Sequence, residues 1–387
     1  MVKPCPGAKR AAIAMAALGR GWLEFVTGSL DESLQSLKQS AAVFNGIGDI
    51  RGRGAPSCLI YWIFYRRADF ASLAKLASDM LRLGQDAGDP HVTSWGQNGL
   101  GLLALAAGPL DEAVTHLSAV RDLTGRISSF RMQAGVGGLL GKCRLRQGRL
   151  TEAAAILTES IGLIEAKNLR GEWSADPLNA FAELCLVNVG RLSGAPRRKA
   201  IRAANRACAK ALRCSRDAAT WLPEALRLHG SLAWLSGATK SARERWRRSL
   251  ATAERLGLSV ERARTLLEMG NRLGDASLVD EAKGFFAQTG AKVDLALSLH
   301  ARARMELESG ADVSSTLPRY DQAIAALSEV KAEYEIGVAC RQRAQLHKQL
   351  GHPDQSRADL ARARSCFEAV GAAQEQADVE HEAIALR

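Results

Sequence analysis

The chain has 387 residues, 47% hydrophobic and 24% charged, with a formal net charge of +11. That apolar content excludes a disordered chain, and no apolar run approaches the roughly 18 residues a membrane span needs. Aromatics at 5% beside abundant Ala, Leu and Arg favour helix over strand. Eight cysteines, at 5, 58, 143, 185, 208, 214, 340 and 366, are too sparse for a disulfide scaffold and include no CxxC pair. They read as small buried hydrophobes in a reducing compartment, so cytoplasmic residence is expected. No HExxH occurs, and His347 with His352 lacks a companion ligand, so neither metal nor cofactor is expected.

In chain order, residues 1–18 superficially imitate a signal peptide, but their alanine-rich run continues into GRGWLEFVTG and reads as an opening helix. A short turn then recurs: GSLDES at 28, ADFASL at 68, GPLDEA at 108, GRLTEA at 148, GAPRRKA at 194, GATKSA at 237, GDASLVDEA at 274, GADVSS at 310 and GHPDQS at 351. The mean interval of about 40 residues accommodates two helices and two connections. The turn glycines are suited to the left-handed residue that ends a first helix. Asp, Glu, Ser or Thr then opens the second helix, where an oxygen is welcome, and Pro109, Pro196 and Pro353 fit a first turn. Only the turn at 68 replaces glycine, with Ala68.

Seven residues before the turn stand Gly21, Gly101, Gly141 and Gly230, with Ala303 and Ala344 in two further repeats. Tyr61, Val187 and Leu267 break this rule. Nine residues after the turn stand Leu37, Leu117, Leu157, Trp246 and Leu360. Small opposite large at fixed offsets predicts hairpins whose helices interlock. GEWSAD and Pro177 read as a loop and as the place of a bend. The chain is thus expected to be an all-α right-handed solenoid of nine hairpins with a capping helix after residue 372. Residues 1–170 and 171–387 would form two runs of one array, bent near 171–194, and neighbour-only stacking would let the halves behave semi-independently.

A small residue, then G-x-[LF]-[DT]-E-A, then an apolar residue nine after the glycine resembles the tetratricopeptide repeat over nearly the whole chain. With ends such as FFAQTGAKVD and CFEAVGAAQE, the long repeats resemble C-terminal regions of bacterial cyclase–ATPase fusions and LuxR-type ATPase regulators. That resemblance implies a non-catalytic protein-interaction scaffold, the sensory or regulatory part of a bacterial signalling protein. The alternative is a fragment of a multidomain cyclase or signalling ATPase whose catalytic modules lie outside this chain. No GxxxxGK[ST] phosphate loop occurs, and the glycine-rich phrases at 96 and 135 fall in first helices.

Two surfaces stand out. The first helices would line an inner groove, with Trp22, Trp62, Tyr65, Arg66, Asn98, Lys142, Arg146, Asn188 and Trp234 as candidate contacts for a protein or peptide partner. Lys142 and Arg146, four apart, share one helix face suited to a carboxylate. The second surface is basic: residues 191–270 hold 18 Lys+Arg against 6 Asp+Glu, while the other 307 residues hold 34 against 35. Arg198, Arg202, Arg206, Lys210 and Arg213 form one stripe, joined by Arg243, Arg245, Arg247 and Arg248 on the next second helix. The stripe reads first as a solvated outer face, next as a dock for an acidic protein, and last as a grip on nucleic-acid phosphates. The oligomeric state is not legible.

Overall fold

The computed structural model describes residues 6–384, which form helices without a strand among them. Residues 1–5, including Cys5, lie outside the described residues. Nine hairpins follow one another. They are α1 (Pro6–Thr27) with α2 (Leu30–Gly46), α4 (Ser57–Arg67) with α5 (Phe70–Asp86), and α6 (Pro90–Ala107) with α7 (Leu110–Arg126). Next come α8 (Phe130–Gln147) with α9 (Leu150–Ala166), α10 (Glu172–Arg191) with α11 (Gly194–Arg216), and α12 (Leu222–Leu235) with α13 (Thr239–Arg255). The series ends with α14 (Ser259–Leu273) and α15 (Ala276–Thr289), α16 (Lys292–Glu308) and α17 (Val313–Glu329), and α18 (Glu333–Gln349) and α19 (Pro353–Val370). A short α3 (Ile50–Gly54) follows the first hairpin, and α20 (Ala373–Ile384) caps the array.

The periodic marks are contact points. A Cβ built on Gly21, Gly101, Gly141 or Gly230 would lie 2.8, 2.6, 2.4 or 2.5 Å from Leu37, Leu117, Leu157 or Trp246 respectively. Each glycine seven before the turn therefore receives the large side chain nine after it, and the two helices of the hairpin interlock there. Serines add a second periodic set. Ser40, Ser160 and Ser249, twelve after their turns, donate to the carbonyls of Ala14, Ala134 and Pro223 at 2.8–2.9 Å. The turn glycines at 28, 148, 194, 237, 274, 310 and 351 take positive φ as expected, and Ala68 takes φ 60 in glycine's place. Gly108 departs from that expectation, with φ −116 and ψ −177, because the residue before Pro109 is held in extended conformation.

The segment read as a loop is instead the start of α10, with Pro177 inside the helix. Gly171, at φ 64 and ψ −140, turns the chain, and Ser174, Ala175 and Asp176 are buried. Packing on both sides outweighs the hydrogen bond lost at proline. Gly138 of α8 leaves the space for it, since a Cβ there would meet the Pro177 nitrogen and Cα at 2.9 Å.

Hairpins also touch others five places along the array. Contacts join α4 with α14, α6 with α16, and α8 with α18. The Leu110 amide donates to the Val330 carbonyl at 3.1 Å. The Leu256 side chain covers Gly28, and Arg191 stacks over Tyr334, four hairpins on, at 4.0 Å. The superhelix therefore winds tightly enough for successive turns to abut, and contacts cross between residues 1–170 and 171–387.

Candidate functional site

Tight winding drives the inner faces of the first helices together, and they meet as charges. Lys142 of α8 bridges Asp176 of α10 at 2.6 Å and Glu224 of α12 at 3.0 Å. Arg66 of α4, 5% exposed, lays its guanidinium over Trp221 and Trp62 at 4.6 and 5.2 Å. Arg227 pairs with Glu261 at 2.6 Å. Arg264 grips both carboxylate oxygens of Asp294 at 2.7–3.0 Å and donates to the Tyr65 hydroxyl at 2.9 Å, from one turn of the superhelix to the next. Buried charges are costly unless paired; Lys142, Arg227 and Arg264 are paired here, whereas Arg66 rests on the two indoles with no ion pair among the described residues.

Burial alone would raise the Glu224 carboxyl, but Lys142, Arg227 and Arg66 outweigh it and hold it down at about 2. Burial likewise works against the Lys142 ammonium, yet Asp176 and Glu224 prevail and raise it. Asp176 goes the other way: its burial dominates, and Lys142 offsets it only in part, so its carboxyl is raised. Its Oδ2 has no hydrogen-bond partner among the described residues, and neither has the Arg66 Nε.

Three spaces with shared walls lead to this cluster. The outermost is a mouth of about 850 Å³, apolar at Met15, Leu18 and Trp22 and basic at Arg131, Lys167 and Arg170. Cys58, Leu59, Glu172 and Trp173 form its inner edge and also bound a chamber of about 50 Å³. The chamber is walled by Trp62, Trp173 and Trp221, with Asn98, Glu172 and Asp176 as its polar groups. Beneath it a gap of about 10 Å³, little more than one water site, reaches Arg66, Lys142 and Arg264. Glu172 is 7% exposed and accepts a hydrogen bond from the Trp22 indole at 2.6 Å. No ion pair neutralises it among the described residues.

Of the groove residues expected from sequence, Trp22, Trp62, Tyr65, Arg66, Asn98 and Lys142 line this funnel. The carboxylates that Lys142 and Arg146 face are the chain's own, since Arg146 pairs with Glu183 at 3.2 Å. Two others lie away from it: Asn188 is exposed near the end of α10, and Trp234 packs on Trp246 at 5.9 Å in its own hairpin. Sequence reasoning missed Glu172, Trp173, Asp176, Trp221, Glu224 and Arg264. One signal was available: Glu-x-x-Arg recurs at 224–227 and 261–264, each time ending ten residues before a turn glycine. Equal offsets put both pairs on the same inner face.

The basic stripe is a surface feature. Arg198, Arg202, Arg206 and Arg213 of α11, and Arg243 and Arg248 of α13, are exposed with no ion pair among the described residues. Lys210 pairs with Glu165 at 2.5 Å and Arg247 with Glu244 at 3.5 Å. Burial, and then half-buried Arg245, depress the His229 imidazole to about 4. Among the described residues no group of His, Cys, Asp or Glu is arranged to hold a metal ion, and no helix is long and apolar enough to cross a membrane.

No family model matches the chain, and no curated protein matches it either. Solved structures do. A Rap protein complexed with Competence and Sporulation Factor superposes with a TM-score of 0.62 at 12% identity, over 96% of this chain and 100% of that one. The Rap conjugation gene regulator of the plasmid pLS20, in complex with the Phr* peptide, gives 0.51 at 10% identity, over 95% and 98%. A signal transduction ATPase with a tetratricopeptide repeat sensor from Pyrococcus horikoshii gives 0.46 at 11% identity, over 88% of this chain and 52% of that one. At these identities the likeness concerns fold, and it agrees with the glycine–leucine periodicity: the chain is a tetratricopeptide-like helical solenoid.

Proposed function

We propose that this protein is a non-catalytic recognition module of a cytoplasmic bacterial signalling system, and that it binds a peptide or protein segment in the inner funnel. The observation that carries this reading is the 850 Å³ mouth, apolar and basic, leading to a tryptophan-walled chamber. Ligand sites of this kind are concave, mostly apolar and furnished with a few fixed polar groups. The two Rap structures, similar along nearly the whole chain, were solved with a factor and a peptide, which supports the same class of ligand here.

The test uses the funnel's own tryptophans. Short peptides titrated into the full chain should give a saturable change in intrinsic fluorescence for a subset of sequences, because Trp22, Trp62 and Trp173 line the path. Gly19→Trp should abolish that change. Gly19 borders the mouth and a Cβ there meets nothing within 4 Å, so the new indole fills the opening without disturbing the helix. Saturation undiminished in this variant would remove the funnel from the reading.

A further inference from the structure

We propose that the inner chamber is a receptor for one organic cation, an ammonium or guanidinium group, and that Glu172 takes its charge. The inference rests on the peptide reading above and adds the chemistry of the group that enters first.

Charge balance at the chamber floor is the starting point. Around it stand three carboxylates, Glu172, Asp176 and Glu224, and two cations, Arg66 and Lys142. The remaining inner charges are satisfied in pairs: Arg146 with Glu183, Arg227 with Glu261, Arg264 with Asp294. One negative charge is left over. It belongs to Glu172, which is 7% exposed and has only the Trp22 indole as a hydrogen-bond donor. A carboxylate this buried and without an ion pair is stabilised when a cation joins it. A second acceptor is ready in the same chamber, for the Oδ2 of Asp176 is buried and unpartnered.

The walls select the kind of cation. Trp62, Trp173 and Trp221 surround the space, and indole faces attract cations most strongly when these are desolvated. The guanidinium of Arg66 already rests on two of these rings from the gap beneath, so the cluster demonstrably accommodates such a group. A strongly hydrated inorganic ion gains little from aromatic walls, whereas an ammonium or guanidinium on an aliphatic stem gains from both wall and floor. The chamber's 50 Å³ is on the order of three to four waters, room for a head group with its stem leading outward. At the mouth the sign reverses, with exposed Arg131 and Arg170 carrying no ion pair among the described residues. A short peptide with its basic group inward and its carboxylate at the mouth matches both ends.

The experiment titrates the full chain with four short peptides followed by tryptophan fluorescence: Arg-containing, its citrulline counterpart, the Arg peptide acetylated at its N-terminus, and a Glu-containing one. The Arg peptide should bind, and Glu172→Gln should weaken it tenfold or more, because the uncharged amide keeps the Trp22 hydrogen bond but not the charge. If acetylation abolishes binding, the entering group is the terminal ammonium; if citrulline does, it is the guanidinium. Either outcome supports the proposal. Circular dichroism of Glu172→Gln monitors folding, and Arg131→Gln/Arg170→Gln supplies a second variant, expected to weaken only peptides with a free carboxylate. Binding of the citrulline or Glu peptide alone would overturn the cation assignment and leave the peptide reading standing. Equal affinity of the Arg peptide for wild type and Glu172→Gln would overturn the site. Failure of all four to bind, with other peptides saturating the funnel, would also overturn the cation assignment; failure of every peptide would overturn both readings.

Discussion

Single residues carry the local cost of the pattern. Ala68 holds φ 60 in the turn that the other repeats give to glycine. A left-handed alanine costs about 1–2 kcal/mol, and glycine loses part of that gain through its greater freedom in the unfolded chain. Ala68→Gly should therefore stabilise the protein by roughly 0.5–1 kcal/mol, read as a higher urea midpoint with an unchanged slope. His229 sets a pH dependence. Its imidazole, held at about 4 by burial and then by Arg245, binds its proton less readily than in the unfolded chain. The stabilisation is complete above the unfolded value near 6.5 and is lost as pH falls through about 4. Urea midpoints should fall between pH 7 and pH 4, and His229→Gln should flatten that fall. The departure at Ala68 was visible in sequence, because a missing glycine interrupts a regular series. The state of His229 was not, because it depends on an arginine one helix away and on burial that only packing creates.

At the scale of the helix pair, Gly141 and Leu157 make one contact, with a Cβ on the glycine 2.4 Å from the leucine Cδ2. Alanine is the better helix former by about 1 kcal/mol, but the clash costs about 1–3 kcal/mol and should win. Gly141→Ala should destabilise, and adding Leu157→Ala should cost less than it does in the wild type, a coupling measurable by double-mutant cycle. This pairing was legible because both members sit at fixed offsets from one turn. The conformation of residues 172–177 was not legible, since Pro177 announces a loop locally and the decision to stay helical lies with Gly138 and the flanking helices. The basic stripe on α11 belongs to this scale too. Arg198→Gln/Arg202→Gln/Arg206→Gln should leave helicity unchanged and flatten the salt dependence of any acidic partner's binding, because exposed charges act through a screened field. Unchanged affinity and salt slope in a partner titration would make the stripe a solvated face.

For the whole molecule, winding matters more than repeat number. An array held only between neighbours unfolds in pieces, whereas here Arg264 with Tyr65, and Leu110 with Val330, tie hairpins five places apart. Far-UV circular dichroism and tryptophan fluorescence should accordingly report one coincident denaturant transition rather than a staged loss of the two halves. Two resolved transitions would count against it. The sequence read as repeats reveals the hairpin but not this closure. Pitch accumulates from small rotations at every interface, and the residues that meet, such as Trp22 with Glu172 or Tyr65 with Arg264, lie 150 and 199 positions apart. Hence funnel residues from Trp22 at the mouth to Lys142 at the base were recognisable as inner-face residues, while Glu172 and Asp176 opposite them were not.

The abutment of successive turns also restricts how such a chain can change by duplication. In an open array an extra repeat lengthens the structure and leaves every other interface as it was. Here a forty-residue unit copied between the third and seventh hairpins would carry Arg264 one place past Tyr65 and Val330 one place past Leu110. The cross-turn contacts would be lost together, along with the alignment of Glu172, Asp176 and Glu224 around the chamber. Copies added beyond the last hairpin disturb none of these contacts, so growth is open at the ends and closed in the middle. The length of the central part is fixed by geometry, because each contact there needs partners five hairpins apart.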